Sequence, residues 1–237
     1  MMGTRHSVDL DTFIMNTPAE LSHLAASWRA SGLGEGDTVL IHSSLSRTIR
    51  SLIKLGQPAT ASDILESFRL ALGPTGTLLL PLFNFGFARG EPFDIRSTPS
   101  EMGALTEAAR VLPEAVRTGH PIYSFAILGK RAESFRGLEN FSGYGADSPF
   151  ARLREMGGKV AVLNLPDQQS MTFYHHVEEM EQVPYRYHKV FRDQYTNGNG
   201  QTTEREFGLY VRKLEMGVLT SVEPMGERLW QLGLYRG

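Results

Sequence analysis

A chain of 237 residues, 41% of them hydrophobic, can bury the core of one large α/β domain or of two small ones. Its formal charge of -2 supplies no basic field for nucleic acid or anionic lipid. With no cysteine, disulfides, thiolate nucleophiles and cysteine-ligated zinc are all excluded.

The start of the chain carries acidic residues early and has no long apolar run, so no cleaved export signal is expected. Apolar stretches such as Thr77 to Phe83 are strand-sized, so no membrane span is expected either. The cytoplasm is the expected location. Thr17-Pro18-Ala19-Glu20 reads as a helix start, with Thr17 as cap and Glu20 completing a capping box. Leu21, Leu24, Ala25 and Trp28 supply that helix's apolar face, and Gly32 and Gly34 end it. A buried strand is expected over Thr38–His42, with Ser43 and Ser44 at its carboxyl end. A helix from about Ser62 to Leu72 buries Ile64, Leu65 and Phe68, and Gly73-Pro74-Thr75-Gly76 turns into a strand over Thr77–Leu82.

Asn84 to Asp94, rich in glycine and aromatics, reads as a loop. A helix follows Gly103, and Ser124–Leu128 is a short strand. Pro149–Met156 reads as a helix, Lys159–Leu163 as a strand, and a helix then carries Thr172, His175 and Glu178. From Pro184 to Leu219, segments rich in Tyr, Phe, Val and Arg predict antiparallel strands around the turn Asn197-Gly198-Asn199-Gly200. A last helix is expected over Met225–Leu234. The alternation predicts a three-layer α/β fold: a central, mostly parallel sheet flanked by helices, with an antiparallel C-terminal extension. Thr38, Thr77 and Lys159 begin its expected central parallel strands. With no internal repeat or linker, residues 1–237 read as one domain.

The seven histidines are the pool for chemistry. His175 and Glu178, three apart on a helix, share a face, as a general base and its orienting carboxylate must. The same spacing also fits a surface histidine with a chance acidic neighbour. His176 points about 100° away on an ideal helix and reads as a surface or packing residue. The histidines are not four apart, as a two-histidine zinc helix requires, so no metal is expected.

Ser43 and Ser44 stand where open α/β sheets bind ligands, and equally fit a helix cap. Thr98-Pro99-Ser100 could present free amides to a phosphate or simply cap the next helix. His120, fixed by Pro121, could reach a pocket or bond a neighbouring carbonyl. No Gly-x-Ser-x-Gly elbow, Gly-x-Gly-x-x-Gly turn or phosphate loop occurs, which disfavours a serine hydrolase and the usual dinucleotide and ATP enzymes.

Several blocks stand in a telling order: GDTVLIHSSL from Gly36, LGPTGTLLLP from Leu72, TPSEMGALTEA from Thr98, RTGHPIYSFA from Arg117, GADSPF from Gly145 and TFYHHVE from Thr172. From Gly36 to about Glu181 the chain resembles the aminoglycoside 3-N-acetyltransferase family, whose antibiotic N-acetyltransferase fold is distinct from the common GNAT fold. The resemblance implies direct transfer from acetyl-CoA to an amine in a ternary complex, without an acyl-enzyme. It maps the catalytic pair to His175 and Glu178. It places the coenzyme near Ser43, Ser44, Leu45 and the turn holding Thr98, Ser100, Met102 and Gly103.

The chain departs from the family pattern at Met171, often Asn, and at Leu82, usually Thr. Residues between Phe83 and Glu91 are compact where resistance members commonly carry a longer acidic insertion. A wall of Tyr185, Arg186, Tyr187 and His188, basic and aromatic, suits a sugar better than a polycation. His120, Tyr185, Arg186 and His188 are therefore the expected acceptor contacts. The expected activity is N-acetylation of a small amino-sugar-like amine. A resistance-type aminoglycoside acetyltransferase, a catalytically silent CoA-binding protein and an acyl-CoA hydrolase are the alternatives. No nucleic-acid or membrane partner is expected, and a homodimer is compatible with the sequence.

Overall fold

The structure, a computed structural model, describes residues 18–237; the expected cap at Thr17 lies outside them. Helix α1 (Pro18–Ala30) leads into strand β1 (Thr38–Ser43) and helices α2 (Leu45–Lys54) and α3 (Ala61–Leu72). Strand β2 (Thr77–Pro81), a short β3 (Phe93–Asp94), helix α4 (Ala104–Arg110), β4 (Val116–Arg117) and β5 (Phe125–Gly129) follow. The second half runs α5 (Pro149–Glu155), β6 (Lys159–Leu163), α6 (Asp167–Ser170), α7 (Phe173–Met180), β7 (Arg186–Thr196), β8 (Thr202–Arg212) and α8 (Glu223–Gln231). None of the described helices is long and apolar enough to cross a membrane.

The central sheet has the order β4-β5-β2-β1-β6. β1 lies parallel to both β2 and β6, while β5 runs antiparallel to β2 and β4. Only β5 is therefore reversed, and the sheet is mostly parallel as expected. Alternation along the strands sorts side chains into two layers. Val39, Ile41, Leu78, Leu80, Ala126 and Leu128 pack with Ile64, Leu65 and Phe68 of α3 and Leu105 of α4. Leu40, Leu79, Phe125 and Ile127 pack on the other face with Phe150 and Leu153 of α5 and with Tyr195, Phe207 and Leu209 of the C-terminal hairpin. Burial of each such side chain contributes about 1.5–3 kcal/mol. α1 closes the outside of α3, its Trp28 stacked on Phe68 at 4.5 Å.

The expected hairpin is present. β7 and β8 pair antiparallel from Arg186↔Arg212 to Thr196↔Thr202. One expectation fails: β6 is parallel but stands at the sheet edge, not its centre. Lys159 is exposed and Val160–Leu163 are only half-buried. A short apolar run looks the same whether both flanks are paired or one is covered by loops.

Two local devices secure the frame. Gly129 has φ +103°, and a Cβ there would come within 2.2 Å of the Gly76 carbonyl oxygen, so only glycine lets β5 close on β2. Thr60 caps α3 through a reciprocal box: its hydroxyl accepts from the Asp63 N–H at 3.1 Å, and the Asp63 carboxylate accepts from the Thr60 N–H at 2.8 Å. Thr60→Ala should cost about 1 kcal/mol, read as a lowered urea midpoint with unchanged slope. No change in midpoint would show that the cap contributes nothing to stability.

Candidate active site

Helix α7 presents two polar faces. His176 and Glu179 turn inward and are buried. His176 Nδ1 lies 2.7 Å from the Tyr144 carbonyl, while Glu179 accepts from the Ser142 hydroxyl at 2.7 Å. One helical step away, His175 and Glu178 share the face turned to the start of β7.

There the two side chains meet. His175 Nδ1 is 2.7 Å from Glu178 Oε2. Glu178 Oε1 accepts from the Tyr185 hydroxyl at 3.2 Å. Arg186, with a side chain only 5% exposed, places Nε 2.9 Å from the same Oε2. Its Nη2 is 3.1 Å from His175 Nδ1, and its Nη1 donates to the Tyr210 carbonyl at 2.9 Å. The Tyr144 ring lies edge-on to His175 at 5.1 Å.

His175 Nδ1 faces an acceptor, Glu178, and a donor, Arg186 Nη2, and the shorter of the two contacts sets the tautomer. A carboxylate only accepts, so a 2.7 Å contact requires the hydrogen on Nδ1. In the neutral ring Nε2 then carries the lone pair, the form a general base needs. Burial alone would raise the Glu178 carboxyl. The hydrogen bond from His175 and the charge of Arg186 outweigh it and hold the carboxyl below the usual glutamate value.

The turn at Ser43 and Ser44 lies at the carboxyl end of β1. The Ser44 N–H donates to the Leu163 carbonyl at 2.8 Å and Asn164 donates to the Ser44 carbonyl at 3.2 Å, so the ends of β1 and β6 are tied together. Ser44 stands at the N-cap of α2 but makes no side-chain capping bond. Leu45 points into the core. The Thr98–Gly103 turn is tied to the end of β2: the Glu101 N–H donates to the Phe83 carbonyl at 2.9 Å. Its hydroxyls are engaged locally. Thr98 accepts from the Asp94 N–H at 2.9 Å, and Ser100 accepts from the Met102 N–H at 3.0 Å and bonds Thr106 at 2.9 Å. Gly103, at φ +111°, starts α4.

A run of ring contacts, Phe83–Tyr123, Tyr123–Tyr144 and Tyr144–His175, connects this end of the sheet to His175. A cavity of about 460 Å³ lined by Arg29, Arg69, Gly73 and Leu128 opens at the other end, where β2 begins.

The expected acceptor contacts separate. His120 is fully buried: Nδ1 accepts from the Ile122 and Tyr123 N–H groups at 3.2 and 3.0 Å, and Nε2 meets the Gly208 carbonyl at 3.2 Å. Burial lowers its pKa to about 4. Of the two roles open for His120, the fold uses the bond to backbone and leaves no route to a pocket. Arg186 is buried among Glu178, His175 and Tyr210 rather than displayed on a wall, because its charge requires a carboxylate once desolvated. His188 remains half-exposed, with Nε2 3.0 Å from Glu179. Tyr185 is half-buried against Glu178.

Two residues escaped the sequence reading. Tyr144 packs on the His175 ring, and nothing in its spacing announces this. His42, two residues after Leu40 and so on the same face of β1, is buried with Nε2 unpartnered, and burial lowers its pKa to about 4. Its place at a strand's carboxyl end was the available signal. Among the described residues, no group of three or more His, Asp or Glu is placed to hold a metal.

A family model described as aminoglycoside 3-N-acetyltransferase matches residues 40–231. The aminoglycoside N(3)-acetyltransferase VII of Streptomyces paromomycinus is 32% identical over 190 residues, which are 70% of this chain and 62% of that protein. The aminoglycoside N(3)-acetyltransferase VIII of Streptomyces fradiae is 29% identical over 211 residues, 79% of this chain and 70% of that one. Among solved structures, AAC-IIIb in a binary complex with CoASH superposes with a TM-score of 0.68 at 28% identity, covering 81% of this chain and 75% of that chain. This chain thus spans less than two thirds of the S. paromomycinus enzyme's length. With its fold and most of its length matched, the chain belongs to the aminoglycoside 3-N-acetyltransferase family.

Proposed function

We propose that this protein, acting as one domain, transfers acetyl from acetyl-CoA to an amine of an amino-sugar-like molecule by direct attack in a ternary complex. The observation that carries the reading is the His175–Glu178 pair. Nδ1 is held at 2.7 Å by the carboxylate, which leaves Nε2 as the ring nitrogen for a substrate on a side chain still 24% exposed. An ammonium cannot attack a thioester. The acceptor therefore reacts as the neutral amine, its first proton left to solvent; the imidazole takes the second as the nitrogen adds to the carbonyl carbon, and Glu178 stabilises the imidazolium. The tetrahedral oxyanion needs donors; its collapse expels the CoA thiolate, which the imidazolium proton converts to free CoASH. The hydroxyls of Ser43 and Ser44 and the first amides of α2 are suitable donors, since α2 has no side-chain cap.

The fit to the coenzyme is supported by Arg47 and Arg50 on exposed positions of α2, since guanidinium groups suit phosphates. Thr98 and Ser100, whose hydroxyls are already bonded, serve this reading by shaping the turn.

On the expected basic wall, Arg186 would repel a polycationic acceptor. Burial beside Glu178 takes it off that wall. Aminoglycosides therefore belong among the acceptors: the S. paromomycinus and S. fradiae relatives are named for them. The test is a thermal melt with acetyl-CoA, then mass spectrometry of acetyl-CoA mixed with sisomicin, other aminoglycosides, and free and nucleotide-linked amino sugars. Acetyl-CoA at 100 times its Kd should stabilise the fold by about 2.7 kcal/mol, and an acceptor should gain one acetyl. Thiol release without amine, or binding without any product, would replace this reading by hydrolysis or by silent binding.

A further inference from the structure

His42 lies at the carboxyl end of β1, one residue before Ser43, and only 5% of it is exposed. Its Nε2 is buried and meets no hydrogen-bond partner. Such an atom costs stability, because a polar group taken out of water gains nothing in return. His120, buried as deeply, has both ring nitrogens engaged by backbone groups. His176 also leaves Nε2 unpartnered, but its Nδ1 must donate to the Tyr144 carbonyl at 2.7 Å, so Nε2 there is a lone pair on a ring already tied down.

The place of His42 gives its nitrogen a use. Alternation along β1 sends Ile41 to the α3 face and puts Leu40 and His42 on the opposite face, which carries Tyr144 and Phe150. The His42 ring stands edge-on to Phe83 at 6.3 Å, and Phe83 begins the run of rings that ends on His175. His42 therefore faces the layer that holds the base, beside the strand end where Ser43 and Ser44 lead into α2. We infer that His42 is a binding residue for the acyl donor: its Nε2–H donates to a carbonyl oxygen of the acetyl-pantetheine arm, either the thioester or an amide. The inference rests on acetyl-CoA being the donor.

The chemistry of the ring suits that partner. Burial lowers the His42 pKa to about 4, so near pH 7 the imidazole is neutral and carries one N–H. A neutral donor matches a neutral carbonyl oxygen and requires no buried counter-charge. A small turn about χ2, a broad torsion in histidine, presents the nitrogen to a ligand at the strand end. On the thioester the same bond would strengthen as charge develops on the oxygen. No proton changes owner in the binding step.

The test compares the parent with His42→Phe, which keeps a ring against Phe83 and removes both nitrogens. Without ligand, His42→Phe should resist urea at least as well as the parent, since the orphaned group has gone. Its affinity for acetyl-CoA, read by calorimetry, should fall by about 3–10-fold, the usual worth of one hydrogen bond. His42→Gln, which keeps an N–H donor, should recover part of that loss. A packing role would give the opposite pair, lower stability with unchanged affinity, and unchanged affinity overturns the inference. If His42→Phe does not fold, NMR of the ¹⁵N-histidine-labelled parent decides. The His42 ring signals should shift when acetyl-CoA is added, and signals that stay put overturn the inference. A shift with CoASH as well assigns an amide carbonyl, and a shift with acetyl-CoA alone assigns the thioester. If the parent binds acetyl-CoA and His42→Phe binds it equally well, the donor stands and only the role of His42 fails. If the parent itself gives no heat with acetyl-CoA, the reading of the donor fails and this inference falls with it.

Discussion

Replacing His175 with alanine should lower turnover by about 10²–10⁴-fold, the usual worth of a positioned general base. Acetyl-CoA affinity should stay within about twofold, because the imidazole serves the chemical step and makes no contact a coenzyme phosphate would need. The expectation comes from geometry. Nδ1 is committed to Glu178 at 2.7 Å, so only Nε2 is available to a substrate. Removing the ring leaves water to take the amine proton. It also leaves Glu178 paired with Arg186 and Tyr185, so the fold around the site should survive. Steady-state kinetics on the true acceptor, with circular dichroism to confirm folding, makes the check. A rate within a factor of about 3 of the parent, far below the general-base range, would show that His175 is not the base.

Why this pair was legible and its surroundings were not follows from how each contact arises. His175 and Glu178 lie on one helix, where a spacing of three fixes a common face whatever the rest of the fold does. Strands β1 and β2 were legible for a similar local reason, since each is a short apolar run bounded by turn residues. Arg186 belongs to a different class. It opens β7, on another element from α7, and it meets the pair only after the hairpin folds back. Read alone, it counted as a wall charge. The role of His120 turned on Gly208 of β8, 88 residues away along the chain. The edge position of β6 depends on what lies beyond it, and a run such as Val160–Leu163 carries no such information. Sequence thus disclosed the chemistry held within single elements. The groups that tune that chemistry come from pairings between elements.

The same division predicts where stability is concentrated. Glu178→Ala should destabilise the protein by about 3–5 kcal/mol at pH 7, because it leaves the Arg186 charge buried without its carboxylate. The arginine side chain is only 5% exposed and cannot recover its hydration without moving the start of β7. Glu178→Gln keeps the shape and one acceptor oxygen, so its loss should be smaller. The pH dependence has a definite sign. The folded-state value of Glu178 is lowered, so its contribution is fully present above the unfolded glutamate value of about 4.3 and is lost as pH falls through the lower folded value. Urea denaturation should therefore show the widest gap between parent and Glu178→Ala near neutral pH, with the two converging in acid. A double variant separates an orphaned charge from simple loss of packing. If the penalty is the unpaired guanidinium, adding Arg186→Met to Glu178→Ala should recover part of the lost stability. If the double variant is instead less stable than Glu178→Ala by the full cost of Arg186→Met alone, the two side chains are energetically independent and the ion pair is not what holds α7 to β7.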